Sequence, residues 1–195
     1  MEFQLLKTPI LTSVTFILTL ITSISTPLPS AQAQQAGKVL RLESKGLKLE
    51  MQRLSRQRVQ AFFIGRGFSA AHALMIARQG CIFRSAIGNS GKMPEEPQIK
   101  IDLRQWQVMS KGKNKKMRVR EQWQKIWEKE NVSEEARTAF YWALFPTRQT
   151  YAPTDYNWGM LSFGLAPGAR FDLVLRWTYG EKQQMTVLKG LQCAQ

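Results

Sequence analysis

Tyr151, Asp155, Tyr156, Asn157 and Trp158 lie within one short stretch and carry the side chains of a ligand site. Flat aromatic faces beside a carboxylate and an amide suit a sugar ring, which presents both apolar C–H faces and hydroxyls. They suit a protein-interface anchor equally well. The competing explanation is a buried aromatic corner, with Asp155 or Asn157 hydrogen-bonding the backbone of its own turn.

Catalytic chemistry is harder to assemble. His72 is the single histidine, and no G-x-S-x-G signature supplies it with a nucleophile; a surface or helix-packing imidazole is the simpler reading. Glu95-Glu96 and Glu134-Glu135 are adjacent pairs. Sequence neighbours do not give the two carboxyls in different environments that acid–base catalysis requires. Gly65-Arg66-Gly67 lacks the preceding strand and third glycine of a dinucleotide loop. Thioether sulfur can hold Cu(I), but the methionines form no M-x-M or M-x-x-M cluster, and Met51, Met75, Met160 and Met185 read as packing residues. No catalytic residue, metal or cofactor is assigned, and the chain reads as a binder rather than an enzyme.

Charge is the outlying property: 28 Lys and Arg oppose 14 Asp and Glu, a net +14. Basic residues gather twice. The first group comprises Arg53, Arg56, Arg58 and Arg66, after Lys38, Arg41, Lys45 and Lys48. The second comprises Lys111, Lys113, Lys115, Lys116, Arg118 and Arg120. Such a balance ordinarily suggests nucleic acid, but the N-terminus argues otherwise.

Met1 to Ala33 has the three parts of a secretory signal: Lys7, an uncharged apolar run from Ile10 to Ile24, and the small-residue site Ala31-Gln32-Ala33 after Pro27 and Pro29. A spanning helix needs about 20 apolar residues, and this run is diluted by serine and threonine. Cleavage near Ala33 is therefore expected, with an uncleaved N-terminal anchor as the alternative. The expected location is periplasmic or secreted, where the available polyanions are lipid headgroups, acidic polymers and acidic proteins. Cleavage would leave about 160 residues, enough for one domain with a proper core.

Export also changes the meaning of Cys81 and Cys193, the only cysteines. In an oxidising compartment two isolated cysteines tend to pair. Closing a loop of this size restricts the unfolded chain by roughly 4–5 kcal/mol.

The elements that must position these residues follow from periodicity. Leu40, Leu42, Leu47, Leu49 and Met51 alternate around Ser44-Lys45-Gly46, as in a hairpin with a glycine turn; an extension of the helix that follows is the alternative. Helical spacing follows from about Arg53 to Ile64, and Ser69 caps a second helix, Ala70 to Gln79. Strands are predicted at Cys81 to Ile87, Gln98 to Val108, Met160 to Leu165, Arg170 to Thr178 and Met185 to Cys193. The basic run from Lys111 to Lys116 reads as a turn, and Arg120 to Lys129 as an amphipathic helix. After Ser133 a helix is expected to give way to a strand near Thr138, before Pro146.

Strands without βαβ alternation imply an α+β, predominantly antiparallel chain, most simply a β-sandwich of immunoglobulin-like class. The division expected is a signal over 1–33, a segment over 34–80 with a hairpin and two short helices, and a sandwich over 81–195 with one or two inserted helices. The leading functional expectation is a non-catalytic envelope accessory or assembly factor. Its partner would be an acidic protein or an anionic membrane surface, and not nucleic acid. The alternative is a carbohydrate- or cell-wall-binding module using residues 151–158. An envelope hydrolase and a copper handler stand behind both.

Overall fold

The computed structural model describes residues 37–195, so the expected signal peptide and its alternative as an anchor lie outside the described residues. Ten strands run in chain order: β1 (Val39–Ser44), β2 (Leu47–Arg53), β3 (Ile82–Asn89), β4 (Ile99–Asp102), β5 (Gln107–Ser110), β6 (Lys113–Lys116), β7 (Arg148–Tyr151), β8 (Tyr156–Ser162), β9 (Arg170–Tyr179) and β10 (Lys182–Gln192). Helices α1 (Arg56–Ile64) and α2 (Ala70–Gln79) precede β3, and α3 (Arg120–Lys129) and α4 (Glu134–Ala143) lie between β6 and β7.

The strands form two antiparallel sheets. Sheet A has the order β1-β2-β3-β8. In sheet B, β9 pairs with β10 along one edge, while β4 and β5 share its other edge and carry β7 and β6 outward. Leu47, Leu49, Met51, Phe83 and Leu161 from sheet A meet Ile99, Val108, Leu173, Leu175 and Trp177 from sheet B in one buried core. Period-two alternation puts all of these on inward faces, and the product is the expected antiparallel sandwich. This strand order does not establish the narrower immunoglobulin-like class.

A second core lies on the outer side of sheet A. Ile82 and Met160 point away from the sandwich and pack with Phe63, Phe68, Ile76, Trp123, Trp127 and Phe140 of the helical layer. Trp123 and Trp127, one turn apart on α3, stack with ring centroids 5.0 Å apart. The helices are keyed to the sheet by a short relay. Trp123 Nε1 donates to Ser162 Oγ (3.0 Å), whose hydroxyl donates to the Gly80 carbonyl (3.0 Å).

Cys81 and Cys193 form a disulfide with their Cα atoms 5.2 Å apart and 112 positions apart in sequence. It joins the residue before β3 in sheet A to the residue after β10 in sheet B. A disulfide of this kind marks an oxidising, extracytoplasmic environment. Among the described residues no helix is long and apolar enough to cross a membrane.

Several local expectations are corrected. The strand predicted over Gln98 to Val108 is broken by a 3-10 turn, Leu103–Gln105, because the Asp102 carboxylate accepts from Arg104 N (3.0 Å) and turns the backbone. Lys113–Lys116 is a strand on the edge of sheet B and not a turn; its pairing comes from β5. Helix α4 continues to Ala143, so no strand begins near Thr138. Met185 is 57% exposed on β10 and is not a core residue.

Candidate functional site

The predicted aromatic loop is half strand, with a turn between Tyr151 at the end of β7 and Tyr156 at the start of β8. β8 starts at Tyr156, and its even-numbered residues face outward with Met160 and Ser162. At the far end of the strand the helices bury Met160. At the near end nothing among the described residues covers the sheet: Tyr156 is 73% exposed and Trp158 74%. Their cross-strand partners are Gly88 and Ala86 on β3. A hydrogen atom and a methyl group stand beside the two rings and leave their faces open.

The same row continues across the sheet. Ala86 pairs with Glu50, and Gly88 with Lys48; beyond them come Arg41 and Glu43 on β1. Two hollows result. One, of about 460 Å³, is lined by Glu43, Lys48, Glu50, Gly88, Asp155 and Tyr156 among others. The other, of about 310 Å³, is lined by Glu50, Gln52, Arg84, Ala86 and Trp158. They share Glu50 and Ala86, so the outer face of sheet A is a shallow trough with aromatic rings on one side and charged side chains on the other. Arg41 Nε donates to Glu50 (3.2 Å) and Arg84 donates to Gln52 (2.8 Å), which fixes the polar side.

The structure separates the five residues of the predicted site. Tyr151 is a core residue, 4% exposed, with its hydroxyl on Gln149; burial pushes its phenol to a higher pKa, so it stays neutral. Asp155 Oδ2 accepts from Ala152 N (3.1 Å) and closes the turn between β7 and β8. Asn157 Oδ1 accepts from Trp158 N (2.8 Å). Tyr151 is thus the buried member of the five, Asp155 and Asn157 accept from nearby backbone while remaining outside the core, and Tyr156 and Trp158 present open rings. Residue-by-residue reading of the sequence missed Ala86, Gly88, Glu43 and Glu50. The sequence signal for them is weak, because a small residue matters here only through what stands opposite it. A third exposed ring, Trp142 (75%), lies near the end of α4, just before the Leu144–Met160 bridge that runs beside β8.

The basic residues divide among different elements. In the first group, Arg53 ends β2, while Arg56 and Arg58 lie in the first turn of α1. Arg66 lies 3.3 Å from the centre of the Phe62 ring and donates to the Phe62 carbonyl (3.1 Å). In the second group, Lys111, Lys113, Lys115 and Lys116 sit exposed on the β5–β6 hairpin, where charged side chains guard a free sheet edge. Arg118 is half-buried over the Trp123 ring, and Arg120 lies 3.8 Å from the centre of the Tyr141 ring.

The remaining catalytic candidates have structural surroundings. His72 lies near the start of α2, and its ring centre is 6.4 Å from that of Trp127. Glu96 Oε1 accepts from Lys92 N (2.7 Å) and Met93 N (2.8 Å), clamping the loop after β3. Glu134 and Glu135 occupy the first turn of α4 behind the Ser133 cap. Among the described residues no three His, Cys, Asp or Glu side chains gather in a metal-binding group. Neither a protein-family model, a curated protein nor a solved structure matches this chain.

Proposed function

We propose that this chain is an exported, non-catalytic saccharide-binding protein whose site is the open outer face of sheet A. The observation that carries the reading is the pair Tyr156 and Trp158. Large aromatic side chains exposed by 73% and 74%, side by side on one sheet face and opposite glycine and alanine, hold apolar surface in water at a free-energy cost that a covering ligand removes. Two residues along a strand are separated by roughly 7 Å, a distance on the scale of one pyranose unit. Apolar sugar faces would stack on the rings, and Glu43, Lys48, Glu50 and Arg84 offer donors and acceptors to the hydroxyls. Export rests on the pattern of residues 1–33 and agrees with the disulfide.

The test is co-sedimentation of the purified chain with cell-wall sacculi and with a panel of neutral and acidic polysaccharides, beside Tyr156→Ala and Trp158→Ala. Retention by at least one polymer, lost in both variants with the melting temperature unchanged, is the expected result. Retention that survives in both variants, or no retention by any polymer, rejects the reading. The rival partner, an acidic protein or anionic membrane, draws its support from net charge, and that charge is most concentrated elsewhere on the molecule.

A further inference from the structure

Five cations that are scattered in the sequence line one cleft. Arg104 comes from the 3-10 turn after β4, Lys116 from the end of β6, Arg120 and Lys125 from α3, and Arg148 from the start of β7. The cleft has a volume of about 520 Å³, and Glu121 is the one carboxylate among its lining residues. With Asp102 behind Arg104 and Arg148, five positive groups face two carboxylates among the described residues, and the excess positive charge around a single concavity concentrates the potential.

The cations are also held in place. Asp102 accepts from both Arg104 and Arg148 Nε, the second at 3.2 Å, so one carboxylate orients two guanidinium groups, one on the 3-10 turn and one on β7. The Arg120 side chain is only 13% exposed, pinned between the Tyr141 ring and Glu121. Glu121 accepts in turn from the Thr147 hydroxyl. Lys116 and Lys125 have no hydrogen-bond or ion-pair partner among the described residues and are exposed. Two fixed arginines, a third packed against tyrosine and two free ammonium groups therefore surround the cavity.

We propose that this cleft binds a phosphate group. A planar carboxylate is satisfied by one arginine in a two-bond fork. A tetrahedral dianion presents oxygens in several directions, and this cleft offers donors from four separate elements. The inference does not depend on saccharide binding by sheet A, and it narrows the acidic partner expected from net charge to a phosphate chemistry. That phosphate could be a free ion or the headgroup of an anionic lipid.

The experiment uses the full chain at low ionic strength. Inorganic phosphate binding is measured by calorimetry, and association with vesicles of phosphatidic acid in phosphatidylcholine by sedimentation. Lys116→Gln with Lys125→Gln should weaken phosphate binding roughly ten-fold or more. A control pair of equal charge loss, Lys45→Gln with Arg58→Gln, should leave it unchanged, as should Trp158→Ala. Binding of both probes, with free phosphate displacing the vesicles, assigns a lipid headgroup to the site; binding of free phosphate alone assigns a soluble ligand. Equal weakening by the control pair means diffuse surface charge and overturns the proposal, as does the absence of binding to either probe.

Discussion

Ala86 stands directly opposite Trp158 across the β3–β8 ladder, and its single methyl leaves the indole 74% exposed. The openness of the aromatic face is therefore a property of β3 as much as of β8. Replacing Ala86 with leucine should cover the indole without disturbing the core, since the position faces outward. The expected outcome is a melting temperature within a few degrees of the parent and saccharide retention weakened on the order of ten-fold. An Ala86→Leu chain that binds as before would mean that the ring face is not the contact.

Gly88 answers a different question. A Cβ there would lie 2.6 Å from the Asp155 carbonyl and 2.6 Å from the Tyr156 Cβ. Gly88→Ala must therefore displace the start of β8. It should cost roughly 1–3 kcal/mol in denaturant unfolding, the scale of overpacking, and should shift Tyr156 resonances before those of the core.

The Cys81–Cys193 bridge joins the two sheets across 112 positions. Cys81→Ser with Cys193→Ser should lower unfolding stability by roughly 4–5 kcal/mol by the chain-entropy argument. Urea titration with and without reductant checks this. The parent should shift on reduction, and the double variant should not.

Ser162 joins two layers by serving Trp123 and Gly80 together. Ser162→Ala leaves the Trp123 indole N–H buried without its acceptor, which costs about 1–3 kcal/mol. Trp123→Phe removes that donor, so the two substitutions combined should destabilise by less than their sum. Full additivity would show that the relay contributes nothing.

Asp102 gives a pH signature. Its arginine partners, Arg104 first, hold its carboxyl at about 2 against an ordinary 3.8. A folded-state value below the unfolded one means the contribution is complete above about pH 4 and disappears as pH falls from 3.8 toward 2. The stability difference between the parent and Asp102→Asn should therefore narrow across that interval. A constant difference would mean that the charge of Asp102 is not what stabilises the turn.

Much of the framework was legible because it is local. Phe171, Leu173, Leu175 and Trp177 alternate along β9 and are all buried. Ser69 and Ser133 accept from the backbone three residues on and start their helices, as N-cap residues do. The beginning of β8 was not legible. Tyr156-Asn-Trp-Gly159 has turn composition, and it becomes strand because β3 presents a complementary edge. Lys113–Lys116 is likewise a strand by pairing alone, since none of its side chains is buried.

From the sequence alone come the antiparallel sandwich, the capped helices, the positive charge and the two cysteines available to pair. Each rests on side-chain pattern or residue type, which a reader of the chain can count. Only the tertiary structure decided that Tyr151 is core while Tyr156 and Trp158 are surface, because burial depends on which element lies over a strand, and the helical layer stops at Met160. It likewise decided that Arg104, Lys116, Arg120, Lys125 and Arg148 share one cleft. Their convergence comes from long-range strand pairing and helix packing, which leave no periodic trace in the order of residues.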